Sequence, residues 1–220
     1  MGSLRYILFE TLIGEIAVVW RSSDEILKQV ILPDIETGRY NYAKNNYSGL
    51  LYESDPSDYI QDVIEAIKDI ILGADVKFSL DQMDFTELTD FQRLVLEKQF
   101  EIPHAKVTTY KDLAKLIGHD KSARPVANAL AANPFPLIIP CHRTLRSDWK
   151  IGGYCGTNDG RFKKLILENE GVEFQNNVAK RKYHYPKQWI LSLFFLLFHT
   201  PHLTLKLIFF YRLNINTFKK

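Results

Sequence analysis

Cysteine is scarce: the 220 residues hold two, Cys141 and Cys155. Two thiols cannot build a disulfide framework, and no cysteine-histidine cluster with zinc spacing accompanies them. The composition therefore predicts a reducing intracellular compartment, cytoplasm or nucleus, with no required metal. Long apolar runs are also missing. Trp189 to Phe198 covers ten residues, broken by Ser192, whereas a spanning helix needs about 20. His199-Thr200-Pro201-His202 and Lys206 interrupt any extension of that run. The start of the chain lacks a signal-peptide pattern, and Tyr6 stands where a myristoylation motif requires serine or threonine. No motif for a bound cofactor appears.

Basic residues are few in the first part of the chain. Residues 1–92 carry 7 basic and 17 acidic side chains, a net of −10, whereas residues 93–182 carry 16 and 9, a net of +7. The formal total of +2 hides this contrast. A basic segment attracts a phosphate backbone, and an acidic neighbour restricts where that backbone can lie. After Glu173 no acidic residue follows.

Hydrophobic patterning predicts a scaffold in residues 1–86. Leu4 to Phe9, Glu15 to Trp20 and Ile26 to Leu32 read as strands, the first two joined by a turn at Gly14, and together they predict a small antiparallel sheet. Ser57 is placed to cap a helix running to about Leu72, with Ile60, Val63, Ile64, Ile67 and Ile71 on one face. Tyr40 to Asp55 reads as a loop, and Gly73 to Asp84 as a strand and linker.

Residues 87–176 read differently. Lys106 to Gly118 has a capping threonine, apolar residues at helical spacing and a terminal glycine. A short connection leads to Ala123 to Ala132, with Ser122 placed as its cap and Asn133-Pro134 at its end. Two short helices joined this way make a helix-turn-helix pattern, although an ordinary packed helix pair looks the same. Then comes Leu137-Ile138-Ile139-Pro140-Cys141-His142-Arg143, a cysteine after an apolar run and beside two groups that favour a thiolate. A thiolate is the reactive form of cysteine, yet free cysteine is also among the most buried residue types. On these residues alone, a reactive site and an inert core cysteine both stand.

Thr89-Asp90-Phe91-Gln92-Arg93, Ile102-Pro103, Val107-Thr108-Thr109-Tyr110, Ala123-Arg124, Asn133-Pro134, Ile139-Pro140-Cys141-His142-Arg143 and Gly152-Gly153-Tyr154 resemble, in order and spacing, the motifs of the O6-alkylguanine-DNA alkyltransferases. The match is dense from Thr89 to Gly171. The Pro-Cys-His-Arg core also separates alkyl acceptors from the alkyltransferase-like proteins, which lack the cysteine. The resemblance implies an α/β (α+β) protein: a small mixed α/β domain with an antiparallel sheet, then a helical, winged helix-turn-helix-like domain for DNA binding and chemistry. Residues 177–220 would be a basic and apolar tail outside the resemblance, with a membrane-surface, partner-binding or incidental role.

The activity implied is direct-reversal repair. A duplex containing O6-alkylguanine is the partner, the damaged nucleotide is extruded, and Cys141 takes the alkyl group once; O4-alkylthymine is left open as a second substrate. The protein would act as a suicide methyltransferase, a monomer without cofactor. By resemblance, Arg124 fills the vacated base stack from a slim helix in which Ala123 and Ala127 allow close approach to DNA. Tyr110 crowds the flipped phosphate and donates to the purine, and Asn133 stabilises the turn into the active segment. His142 acts on Cys141 through a water and is oriented by a glutamate, Glu170 or its competitor Glu168. Pro140 and Arg143 are structural, and Thr144, Tyr154, Cys155 and Gly156 wall the pocket. The family often has an aliphatic residue at the position of Thr144 and serine at that of Cys155. Two other classes fit part of the pattern: a DNA-binding regulator or lesion sensor without chemistry, and a cysteine hydrolase, for which the adjacent His142 is badly directed.

Overall fold

Strands β1 (Leu4–Thr11) and β2 (Gly14–Arg21) pair antiparallel from Leu4 against Arg21 to Thr11 against Gly14. Gly14 adopts φ +111°, a conformation L side chains rarely take, so the tight turn needs glycine there. Along β2, Ile16, Val18 and Trp20 face the main core, while Ala17 and Val19 join Tyr6 and Ile31 on the opposite face. Strand β3 (Leu27–Ile31) pairs antiparallel with β2. These are the strands expected from the sequence. The sheet gains one element: β4 (Leu51–Tyr52) lies parallel to β1, inside the segment expected to be loop, giving the order β3-β2-β1-β4. This computed structural model describes residues 2–33, 49–154 and 160–186.

Helix α1 (Asp58–Ile71) begins where Ser57 accepts a hydrogen bond from the Ile60 amide. Its stripe of Ile60, Val63, Ile64, Ile67, Ile70 and Ile71 is buried, each such side chain contributing about 2 kcal/mol of burial. Between Gly73 and Asp84 the expected strand does not form. The Gln82 side-chain oxygen takes the Ser79 amide, and Leu80–Gln82 closes into a 3-10 turn. That uses a donor a ladder would need, and only Met83 bridges to Leu27.

Helix α2 (Asp90–Phe100) opens with a reciprocal box in which Thr89 caps Gln92 and Gln92 returns the bond. Strand β5 (Thr108–Thr109) leads into α3 (Tyr110–Leu116), capped by Thr109, and Gly118 follows at φ +75°. Helix α4 (Ala123–Ala131) completes the helix-turn-helix. Ser122 does not cap it: its side chain makes no cap bond, and its amide is spent on the His119 carbonyl in the turn. Strand β6 (Thr144–Leu145) pairs parallel with β5, and α5 (Arg161–Asn169) follows.

Asn176 and Asn177 both take positive φ in the turn between β7 (Phe174–Gln175) and β8 (Val178–Ala179), the conformation a two-residue hairpin favours. Residues 1–183 make one compact unit, and 184–220 a second of which only 184–186 are described. Residues 177–183, counted above with the tail, therefore lie within the first unit. Ala179 is buried with Val107, and the Tyr183 carbonyl accepts the Val107 amide at 2.9 Å. Among the described residues no helix is long and apolar enough to cross a membrane.

The main core runs without interruption from β2 and α1 through α2, α3 and α4 to Cys141, Tyr154 and Ile166. The end of α1 meets the end of α5. Asn169 donates to the Ile71 carbonyl at 2.7 Å, and a Cβ on Gly73, itself at φ +96°, would fall 2.1 Å from the Asn169 oxygen.

Candidate active site

Cys141 does not lie in an extended segment. It opens a 3-10 turn, Cys141–Arg143, because Pro140 takes φ −77° and ψ 63°. These are inverse γ-turn angles, and the Cys141 amide accordingly bonds the Ile139 carbonyl at 2.7 Å. Asn133 secures the approach. Its Nδ2 donates to the Ile139 carbonyl at 3.0 Å, and its Oδ1 accepts the Phe135 amide at 2.9 Å. Since β6 follows the turn and pairs with β5, the same strand pair sets Tyr110, the first residue of α3, near the sulfur.

Burial pushes the Cys141 thiol up from its ordinary value. Hydrogen bonding from Asn133 and Tyr154 and the charge of Lys163 oppose that shift without cancelling it. The resting sulfur is therefore a thiol. Tyr110 is also raised, by burial and by proximity to Cys141.

His142 is fully buried, and its Nε2 lies 2.8 Å from Glu170 Oε1. Arg143 forks onto the same carboxylate through Nε at 3.0 Å and Nη2 at 2.8 Å, and its Nη1 donates to the Ile102 carbonyl at 2.8 Å. The Ala105 amide adds a further donor at 3.1 Å. Burial opposes charge on Glu170, but His142 and Arg143 hold its pKa at about 2. Burial lowers His142, so with Arg143 already balancing the carboxylate the imidazole is neutral. An ionised carboxylate only accepts, which places the imidazole proton on Nε2. Nδ1 is then a lone-pair acceptor, buried and without a protein partner among the described residues.

The geometry separates the two glutamates. Glu170 meets His142, whereas Glu168 is exposed and faces Lys164 at 3.7 Å. The buried positions of α5 are Lys163, Ile166 and Leu167, and Glu170 follows at the same helical spacing. That spacing was readable in the sequence.

Tyr154 is buried edge-on to His142, with ring centroids 6.5 Å apart. Thr144 is buried and donates its hydroxyl to Gln99. Cys155 and Gly156 lie outside the described residues. On α4, Arg124 is exposed on the side opposite core-facing Val126, Ala129 and Leu130, and Ala123 and Ala127 are half-buried on the flank between them. Two site residues escaped the sequence reading. Lys163 is fully buried, donates to the Thr144 carbonyl and stands 5.7 Å from the Tyr110 ring centre. Gln99 is fully buried on α2. The available signal for each was a polar residue at a core-facing helical position.

Fold and site together define a cysteine-centred protein on a helix-turn-helix scaffold. The 6-O-methylguanine DNA methyltransferase DNA-binding domain matches residues 90–172. A methylated-DNA–protein-cysteine methyltransferase of Methanothermobacter thermautotrophicus is 36% identical over 161 residues, covering 73% of this chain and 82% of the relative. A probable methylated-DNA–protein-cysteine methyltransferase of Acanthamoeba polyphaga mimivirus is 32% identical over 161 residues, covering 73% and 91%. The crystal structure of O6-methylguanine-DNA methyltransferase from Pyrococcus kodakaraensis superposes with TM-score 0.58 at 27% identity, covering 77% of this chain and 99% of that one. The Mycobacterium tuberculosis OGT in complex with DNA gives TM-score 0.61 at 25% identity, with 76% and 92% covered. This chain belongs to the O6-alkylguanine-DNA alkyltransferase family.

Proposed function

We propose that the chain repairs O6-alkylguanine in duplex DNA by direct reversal, transferring the alkyl group to Cys141 in a single, irreversible event. The observation that carries this reading is the buried Cys141 turn backed by the His142–Glu170 pair, within a chain of this family. A stacked base cannot present its alkyl carbon to a protein thiol, so the nucleotide must leave the helix. Arg124 is the exposed side chain on α4 suited to occupy the space left behind, and Ala123 and Ala127 allow that helix to approach the groove closely.

In the transfer, the sulfur attacks the alkyl carbon, an S–C bond forms and the C–O6 bond breaks. The Cys141 proton leaves first, through a bridging water to the Nδ1 lone pair of His142, and Glu170 stabilises the imidazolium that results. Tyr110 donates to the purine as negative charge develops there, and the departing guanine recovers a proton. Asn133 and Tyr154 stabilise sulfur by hydrogen bonding, and Lys163 supplies positive charge. The product is a thioether with no group among the described residues placed to remove it, so in this reading one protein molecule repairs one lesion. In this reading Thr144 and Tyr154 contribute to the wall of the base pocket that opens for the flipped nucleotide, and the protein works as a monomer in a reducing compartment.

The test is to incubate the protein with a duplex carrying one O6-methylguanine and to measure intact and peptide masses. A gain of one methyl group per protein, confined to the Cys141 peptide and absent in Cys141→Ser, with guanine restored, is the expected result. Tight binding without a mass change would convert the reading to a lesion sensor.

A further inference from the structure

Gln99 is a buried amide on the face of α2 that also carries Val95 and Leu96. A carbonyl can only accept, so the amide nitrogen must face Pro140. Gln99 Nε2 donates to the Pro140 carbonyl at 2.7 Å, and Gln99 Oε1 accepts the Thr144 hydroxyl. One side chain thus spans the reactive turn, from the residue before Cys141 to the residue after Arg143. Thr144 extends the network. Its amide bonds the Cys141 carbonyl, and its own carbonyl accepts the Lys163 ammonium.

An apolar side chain could fill this site without giving up hydration. A fully satisfied buried amide instead fixes one arrangement of the groups it joins, because any other leaves a polar atom unpaired. We propose that Gln99 is a positioning residue for alkyl transfer: its amide staples the two ends of the Cys141 turn and, through Thr144, seats the Lys163 ammonium in the active site. This rests on Cys141 being the alkyl acceptor. Gln99 touches neither sulfur nor DNA in this role.

The experiment compares the native chain with Gln99→Leu/Thr144→Val, which removes both polar partners at once and leaves no hydroxyl stranded. Two quantities are read: the single-turnover methyl-transfer rate from an O6-methylguanine duplex, and the pH dependence of iodoacetamide labelling at Cys141. The double variant should transfer about tenfold more slowly or worse. Its labelling midpoint should move to higher pH, as Lys163 loses its seat. A native rate together with a native labelling midpoint would overturn the proposal. Should the double variant fail to fold, Thr144→Val and Thr144→Ser carry the same readouts. Loss in the valine variant with recovery in the serine variant supports the staple, and equal behaviour of the two overturns it. A native chain that labels at Cys141 yet transfers no methyl group would refute the acceptor reading alone, leaving the labelling profiles to decide the role of Gln99.

Discussion

Glu170 gathers His142, Arg143 and the Ala105 amide on one buried carboxylate, so its charge state bears on stability and, in the proposed mechanism, on proton transfer. Its folded pKa of about 2 lies below the ordinary 4.5. The unfolded chain therefore binds the proton first as pH falls, and the stabilisation is present above about 4.5 and lost on the way down to about 2. The difference corresponds to roughly 3 kcal/mol. The lowered His142 acts in the same direction from higher pH, since below about 6.5 only the unfolded imidazole gains a proton. Glu170→Gln should flatten this acid-side loss, read as Tm against pH between 2 and 6. It should also slow methyl transfer by on the order of 10²-fold, because an amide nitrogen facing Nε2 would move the imidazole proton to Nδ1 and abolish the acceptor. Native transfer by this variant would show that His142 does not take the thiol proton. Part of this residue-scale picture was legible: the Pro-Cys-His-Arg core marked the candidate nucleophile, while Glu170 and Glu168 stayed level until the burial of Ile166, Leu167 and Glu170 on one side of α5 separated them. Lys163 was only weakly marked, by a position three residues before Ile166 on the core-facing side of α5, and its basic neighbours Arg161 and Lys164 obscure that signal. Only the three-dimensional placement of the Thr144 carbonyl provides the buried ammonium with its acceptor.

At the scale of elements, α1 is far from the sulfur in sequence but supports the helix that carries Glu170. The Gly73 backbone lies against the Asn169 carbonyl, the Asn169 side chain holds the Ile71 carbonyl, and the His104 ring contacts the Gly73 carbonyl at 2.8 Å. Gly73→Ala meets two obstacles at once: a positive φ and a backbone atom where the methyl must go. The expected loss is about 2–4 kcal/mol, seen as a fall in Tm of roughly 4–16 °C. Methyl transfer should slow as the end of α5 shifts. Unchanged stability would mean that the two helix ends part without cost. Two of the helices were readable, because α1 and α3 each announce a cap and an apolar face within a few residues of sequence. The turn around Cys141 was not. Its shape depends on Asn133 and on Gln99, the latter 41 residues before Pro140, so no local stretch of sequence specifies it. Strand β4 was hidden for a similar reason, being two residues long and defined only by its partner β1.

Across the whole molecule, charge divides the two halves of the first unit by sign while one core joins them. The acidic residues 1–92 support the site from behind through α1, and the basic residues 93–182 include the helix-turn-helix. Counterions released from DNA by the basic half give binding its salt dependence, and fields from the acidic half decay within about 8 Å at physiological salt. The proposed reading accordingly assigns DNA contact to the surface around α3 and α4. Lys111 and Lys121 are exposed there and form no ion pair among the described residues, whereas Lys77 in the acidic half is paired with Asp75 at 2.8 Å. In a Cys141→Ser background, which prevents transfer during titration, Lys121→Gln should weaken binding to damaged and undamaged duplexes equally. It should also reduce the slope of log affinity against log salt by about 1, the signature of one lost phosphate contact. Lys77→Gln should leave the slope unchanged. Affinity measured by fluorescence anisotropy across a salt series distinguishes the two; equal effects of the two substitutions would mean that net charge, rather than the basic helix-turn-helix surface, sets DNA affinity.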